Sequence, residues 1–164
     1  MSCMQRHFDL IAGTRLLRAA WHTKVAVPYV IGAISLLPML AAADANAEVV
    51  VRIYRAAQEM TVTVDGLPYA AWAVSTARRG YHTPAGSFRP KRLEPIWYSS
   101  KYEHSAMPHS IFFAGGYAIH GTYAVAGLGR AVSHGCVRLA PAHASLLFHL
   151  IGTEGRGHTR ILIR

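Results

Sequence analysis

Cys136 and His120 are the two residues of this sequence whose types and spacing suit nucleophilic catalysis. A thiol becomes a useful nucleophile when a neighbouring base favours the thiolate, and a third group often holds that base in position. The histidine precedes the cysteine by sixteen positions, which is too far for a local contact. We therefore expect the fold to bring His120 to Cys136 as its base.

The segment around the cysteine offers further groups for a reaction. Gly135 has no side chain, and successive backbone N–H groups beside it are suited to form an oxyanion hole for a tetrahedral intermediate. Arg138 lies two positions after Cys136 on an apparent strand, so it faces the same side as the thiol and is suited to hold a substrate carboxylate. The local pattern thus favours acyl transfer.

Two other interpretations of the same residues remain open at this point. A single cysteine is more often a small buried side chain than a nucleophile. His120, His134 and Cys136 could also bind zinc, although the compact ligand pairing and the fourth ligand of a structural zinc motif are missing. We therefore predict no metal site.

Short strands separated by turn residues dominate the sequence after residue 48. The predicted strands cover residues 49–54, 60–64, 68–75, 87–89, 110–114, 117–120, 136–139 and 160–164. Turn formers and charges between residues 76 and 108 predict a loop-rich surface, and Pro141 opens a helix that ends at Gly152. These elements predict a mainly β domain, a sandwich or partly open barrel, with one helix after the catalytic strand.

Two of these strands are expected to place the candidate residues. His120 ends the strand at 117–120, Cys136 begins the strand at 136–139, and the Gly-rich segment 121–129 follows the first of them. If the two strands are adjacent, their ends meet, and the base then lies beside the thiol.

The composition is typical of a single globular domain, with 164 residues, 52% of them apolar and 15% charged. The formal charge of +9 and the sequence pI of about 10.1 favour partners that carry carboxylates or phosphates. Basic residues occur in pairs such as Arg78-Arg79 rather than in dense clusters, so we do not expect nucleic-acid binding.

The first 47 residues have the features of an export signal. Basic residues precede an apolar run at 25–43, and Ala45-Asn46-Ala47 supplies the small-x-small pattern that a signal peptidase needs. The apolar run also approaches the length of a membrane span, so a retained anchor is the alternative. Cleavage would remove Cys3 and leave Cys136 as the single thiol of the domain at 48–164. In an oxidising compartment structural cysteines normally occur in disulfide pairs, so an unpaired cysteine is unusual there.

Residues 49–150 resemble the L,D-transpeptidase (YkuD) family of bacterial cell-wall enzymes. The resemblance rests on His120-Gly121-Thr122 followed by the run SHGCVRL at 133–139, which is similar to the family's signature of a histidine, a spacer and then Ser/Thr-His-Gly-Cys. The segments VST at 74–76, TPAGSF at 83–88 and MP at 107–108 also look like family segments in the expected order.

The resemblance implies roles for individual residues. Cys136 matches the nucleophile that carries the acyl group as a thioester, and His120 matches the general acid/base. Gly121 falls where the family uses a backbone carbonyl to orient that histidine, and His134 matches the second motif histidine, which shapes the site. Together with Gly135 these are the expected catalytic residues. Substrate contacts are expected from Arg138, Ser133 and Met107.

The resemblance also implies a reaction and its partners. The donor is a tetrapeptide stem of peptidoglycan, cleaved between its third residue, typically a diamino acid, and the terminal D-Ala. An amine on another stem, or on an outer-envelope protein, then resolves the thioester outside the cytoplasm. No metal or organic cofactor is implied, and a membrane is a partner only if the leader is retained.

Two alternative functions stay open from the sequence. Water in place of the amine would make the protein an L,D-carboxypeptidase or a cross-link hydrolase that uses the same thioester. A wall-binding module without catalysis is the alternative from another class, and the intact Cys136 and His120 argue against it.

Overall fold

The computed structural model describes residues 46–102 and 104–164. The predicted leader, Cys3 included, therefore lies outside the described residues except for Asn46 and Ala47. Within the described part, no helix is long and apolar enough to cross a membrane.

Nine strands and one α-helix form the described chain, together with two short 3-10 turns. The strands are β1 (Val49–Tyr54), β2 (Glu59–Val64), β3 (Leu67–Ala73), β4 (Gly86–Phe88), β5 (Arg92–Tyr98), β6 (Ala106–Ala114), β7 (Tyr117–Gly121), β8 (Val137–Leu139) and β9 (Thr159–Ile163). The helix α1 spans Pro141–Glu154, and the turns span Val125–Gly127 and Arg156–His158.

The strands make two sheets. Five strands lie in the order β3-β2-β1-β9-β4, and four lie in the order β5-β6-β7-β8. Neither sheet closes on itself, so the expected mainly β sandwich is confirmed and the architecture is not a closed barrel. The single helix follows β8, as predicted.

One apolar core joins both sheets and the helix. Fully buried side chains come from β1, from β6 and β7, and from α1, among them Ile53, Phe113, Ile119 and Leu147. In β1 the first three residues are all buried, and buried residues alternate with partly exposed ones only in its second half; the strand is the central one of its sheet. This shared core packs the two sheets and α1 against one another, and so supports the strands that carry the candidate residues.

The strand β5 was not predicted, because its segment was expected to be loop. Pro95 lies in its middle, and a proline usually argues against a strand since it cannot donate a backbone hydrogen bond. Here β5 is an edge strand, and the pairing with β6 joins Glu94 to Ser110 and Ile96 to Pro108 without using Pro95. The sheet therefore tolerates this proline.

The pairing of β7 with β8 places the candidate residues. These strands run parallel, and His120 lies opposite Arg138 in their register. Cys136 immediately precedes β8, next to the pair formed by Ile119 and Val137. A parallel pair needs a crossover connection, and residues 122–136 supply it, so the long spacing between histidine and cysteine follows from the topology.

Candidate active site

A cavity of about 640 Å³ lies where β6, β7 and the segment before β8 meet. Five of the eight predicted site residues line it, namely Met107, His120, His134, Cys136 and Arg138. The other three, which are Gly121, Ser133 and Gly135, are not among its lining residues. The sequence-predicted nucleophile and base thus share one cavity.

Cys136 lies partly exposed in this cavity, against a small apolar cluster formed by Met107, Phe112 and Ala118. Burial raises the pKa of its thiol above the ordinary value, while a backbone hydrogen bond from Ala118 and the positive charge of Arg138 act in the opposite direction. Because the effect of burial is the larger one, the thiol is protonated at neutral pH.

His120 is 6% exposed, and its Nδ1 lies 2.7 Å from the carbonyl oxygen of Gly121. A carbonyl only accepts hydrogen bonds, so the proton is placed on Nδ1 and the lone pair on Nε2. Burial lowers the pKa of His120 to about 4; the hydrogen bond to Gly121 opposes this, and Arg138 adds to it. At neutral pH the ring is therefore uncharged, as a general base must be.

The glycine at 121 is required by close packing as well as by its carbonyl. A Cβ added there would lie 3.0 Å from Cγ of Pro108 and 3.2 Å from Cα of Pro141. Both neighbours are rigid proline rings or backbone, so neither can move aside easily. The absence of a side chain therefore lets β6 and the start of α1 approach the strand that carries His120.

The loop before Cys136 is fixed by hydroxyl groups. The N–H of Gly135 donates to Oγ of Ser133 at 3.0 Å, and the Ser133 hydroxyl donates to the Cys136 carbonyl at 2.6 Å. The carbonyl of Gly135 accepts from Oγ1 of Thr83 at 2.8 Å. Gly135 itself has φ +131°, and a Cβ there would lie 2.7 Å from Cε1 of Tyr117, so only glycine fits.

These contacts bear on two expectations. Ser133 was expected to bind substrate, but it is fully buried and its hydroxyl bonds the loop. Successive N–H groups beside Gly135 were expected to form an oxyanion hole, and the N–H of Gly135 itself donates to the Ser133 hydroxyl. Both residues therefore hold Cys136 in place.

His134 forms part of the cavity wall between two tyrosines. Its ring stacks on Tyr102 at 4.4 Å with 12° between the planes, and it meets Tyr81 edge-on at 4.6 Å. Its Nδ1 is buried without a hydrogen-bond partner among the described residues. Burial lowers the pKa of His134, as do the nearby charges of Arg78 and Arg138, so this ring is also uncharged at neutral pH.

Sequence reasoning did not select two residues that the site uses. Thr83 lies in the segment that was expected to be loop-rich surface, yet its buried hydroxyl joins the Gly135 carbonyl to the N–H of Ala77. The available signal was the segment at 83–88, which resembles a family segment. Arg92 lines the cavity from β5. It was missed together with its strand.

The side chains that line the cavity carry positive charge. Among the lining residues that the structure describes, three are cationic, Arg92, Lys101 and Arg138, and none is an aspartate or glutamate. Nowhere in residues 46–102 and 104–164 do three His, Cys, Asp or Glu side chains converge as they would around a metal ion. The cavity is thus suited to an anionic organic ligand.

Comparison with known families gives one match that spans most of the chain. The family model of the L,D-transpeptidase catalytic domain matches residues 48–162. A search of curated proteins found no match.

Solved structures of L,D-transpeptidases are similar to this fold. The enzyme from Mycobacterium smegmatis is 24% identical with a TM-score of 0.64, over 72% of this chain and 59% of that one. The enzyme from Xylanimonas cellulosilytica is 26% identical with a TM-score of 0.62, over 74% and 63%. L,D-transpeptidase 3 from Mycobacterium tuberculosis, solved with a faropenem-derived adduct, is 20% identical with a TM-score of 0.63, over 72% and 60%. The chain thus spans about three fifths of the length of these structures.

Proposed function

This chain belongs to the L,D-transpeptidase catalytic-domain family, and on that premise we propose that it is an exported cysteine acyltransferase acting on tetrapeptide stems of peptidoglycan. The observation that carries the proposal is the cavity in which the Cys136 thiol and an uncharged His120 both stand. A histidine with its Nδ1 proton bonded to a carbonyl presents a free Nε2, which is the arrangement that general-base activation of a thiol needs.

The first half of the reaction forms a thioester. Nε2 of His120 takes the proton from Sγ of Cys136 while the sulfur attacks the carbonyl carbon of the third stem residue. The tetrahedral intermediate then collapses, and the C–N bond to the terminal D-Ala breaks. The imidazolium returns its proton to the departing amine, so D-Ala leaves neutral in its amino group and His120 is again a base.

The second half transfers the acyl group. An amine of another stem, or of an outer-envelope protein, gives its proton to His120 and attacks the thioester carbonyl. The C–S bond breaks, and the thiol is restored. Water in place of the amine would give a free tripeptide and make the protein a carboxypeptidase or a cross-link hydrolase.

The other predicted residues support these steps. Gly121 orients the base through its carbonyl, and His134 shapes the cavity wall together with its tyrosines. We propose that Arg138 and Met107, which both line the cavity, contact the donor, Arg138 through a carboxylate. The positive lining of the cavity suits a stem that carries several carboxylates.

Export follows from the substrate and from the leader. Peptidoglycan stems that are cross-linked lie outside the cytoplasm, and residues 1–47 have the pattern of a signal peptide. We place the catalytic domain at residues 48–164, in the periplasm or the corresponding extracytoplasmic space. The mass of the protein recovered from that space would show whether the leader is cleaved or retained.

The decisive experiment incubates the purified protein with a disaccharide-tetrapeptide and follows products by mass spectrometry. Release of D-Ala with formation of dimers supports transfer, and release of D-Ala with free tripeptide supports hydrolysis. The variant Cys136→Ala should release none. If the native protein releases no D-Ala and gains no mass from a carbapenem, the proposed function is wrong.

A further inference from the structure

We propose that Arg92 is a second carboxylate-binding residue of the cavity and that it makes the protein prefer stems with a free carboxylate over amidated stems. This inference rests on the proposed function and adds a substrate preference to it. No feature of the sequence selects Arg92, because its strand β5 was expected to be loop. The argument therefore comes from the position of its guanidinium.

Two aromatic rings hold the guanidinium of Arg92 in place. Its central carbon lies 4.3 Å from the centre of the Trp97 ring and 4.1 Å from the centre of the Phe112 ring. Arg92 and Phe112 are also direct partners in the pairing of β5 with β6, so the backbone fixes the approach. A side chain fixed in this way loses little entropy when it binds a ligand, unlike a free surface arginine.

The donors of Arg92 are only partly used by the protein. Glu94 accepts from Nη1 at 3.1 Å through a single oxygen. The guanidinium has five N–H donors in a planar fork, so the remaining ones stay available for a carboxylate in the cavity. Glu94 does not line the cavity, so it orients the guanidinium from behind.

The position of Arg92 relative to Cys136 suits the acyl part of the donor. Trp97, which packs on the Arg92 guanidinium, and Cys136 both contact the cluster of Met107, Phe112 and Ala118, so guanidinium and thiol lie along the same wall of the cavity. A donor whose scissile carbonyl is at the sulfur extends its preceding residues along this wall. Those residues keep their carboxylates after D-Ala has left.

Two carboxylates of the stem could meet this guanidinium, and both belong to the same chemical class. One is the side-chain carboxylate that a diaminopimelate carries at the third position, and the other is the α-carboxylate of the second residue. Amidation removes the charge of either group while leaving the size of the stem nearly unchanged. Amidated stems therefore test the charge alone.

The experiment measures kcat/KM for D-Ala release with three stems: unmodified, amidated at the third residue and amidated at the second. For the native protein we expect one of the two amidations to lower kcat/KM about tenfold, as the loss of one charge-assisted hydrogen-bonded contact does. In Arg92→Gln the same amidation should have little further effect. The stem whose amidation matters identifies the carboxylate.

Matched variants separate recognition from structure. Arg160→Gln removes an arginine of similar side-chain exposure, 46% against 44%, that is paired with Glu48 outside the cavity, and it should keep the full preference. Arg92→Lys keeps the charge without the planar fork, and should retain an intermediate preference. If a substitution loosened β5, kcat/KM would fall by the same factor for all three stems. The ratio of kcat/KM between stems therefore reports recognition of the carboxylate rather than folding.

A binding measurement keeps this inference separate from the proposed function. Calorimetric titration of the three stems into Cys136→Ala, with and without Arg92→Gln, needs no turnover. Weaker binding of one amidated stem, only when Arg92 is present, supports the inference. Equal binding of all stems to Cys136→Ala, or a preference that survives Arg92→Gln, overturns it even if the native protein releases D-Ala.

Discussion

Lowering the pH should destabilise the protein through His120, by an amount that follows from its burial. The pKa of this ring is 6.5 in the unfolded chain and about 4 in the folded one. Above pH 6.5 His120 is neutral in both the folded and the unfolded chain, and its contribution to the free energy of unfolding is constant. Between pH 6.5 and pH 4 this histidine is protonated in the unfolded chain but not in the folded one, so the free energy of unfolding falls as the pH falls. The full difference of about 2.5 units corresponds to about 3 kcal/mol.

The measurement is urea unfolding at a series of pH values, for the native protein and for His120→Gln. By pH 4.5 the native protein should have lost about 2.5 kcal/mol more than the variant, relative to pH 7.5. Glutamine does not titrate, so the difference between the two pH profiles isolates His120 from other groups. The absolute stability of the variant is not the readout, because the replacement changes packing as well.

Parallel pH profiles for the two proteins would refute the reasoning. They would mean that His120 keeps an ordinary pKa in the folded state, and hence that it is not desolvated as its 6% exposure indicates. A difference between the two profiles that keeps growing well below pH 4 would mean that burial lowers the folded-state pKa further than the structure indicates.

Three further predictions concern the thiol and its loop. The rate of Cys136 alkylation by iodoacetamide should rise with pH into the alkaline range, without a plateau at neutral pH, because burial raises the thiol pKa. Gly135→Ala should cost about 2 kcal/mol or more in urea unfolding, because its Cβ would meet Tyr117 at 2.7 Å, whereas Gly157→Ala has open space and should cost far less. Thr83→Val should cost about 1 to 3 kcal/mol and slow D-Ala release, since it leaves a buried carbonyl unpaired, and Thr83→Ser should retain most of both.

The strands that carry the site were predictable because their sequence patterns are local. Alternation and β-branched residues marked β1 and β2, and the Gly115-Gly116 turn marked the hairpin of β6 and β7. The strand β5 was not predictable by the same reasoning, because Pro95 argues against a strand unless the strand is known to be at an edge. Edge position is a property of the sheet and not of the segment.

Five of the eight expected site residues line one cavity, and the residues that support the loop before Cys136 were largely not expected. A Ser-His-Gly-Cys run suggests that each member faces the substrate, but consecutive residues in a bent loop point in different directions. Ser133 turns inward and bonds the backbone of Gly135 and Cys136. Thr83 reaches the same loop from a distant part of the sequence, so its role depends on a contact that only the fold creates.

The pKa shifts of His120 and Cys136 bear on how the proton moves. Burial lowers the pKa of the His120 imidazole and raises the pKa of the Cys136 thiol, so both shifts oppose a proton transfer that precedes attack. We therefore infer that the proton moves while the sulfur attacks. Acylation should then show a normal solvent deuterium isotope effect, and its absence would indicate a preformed thiolate.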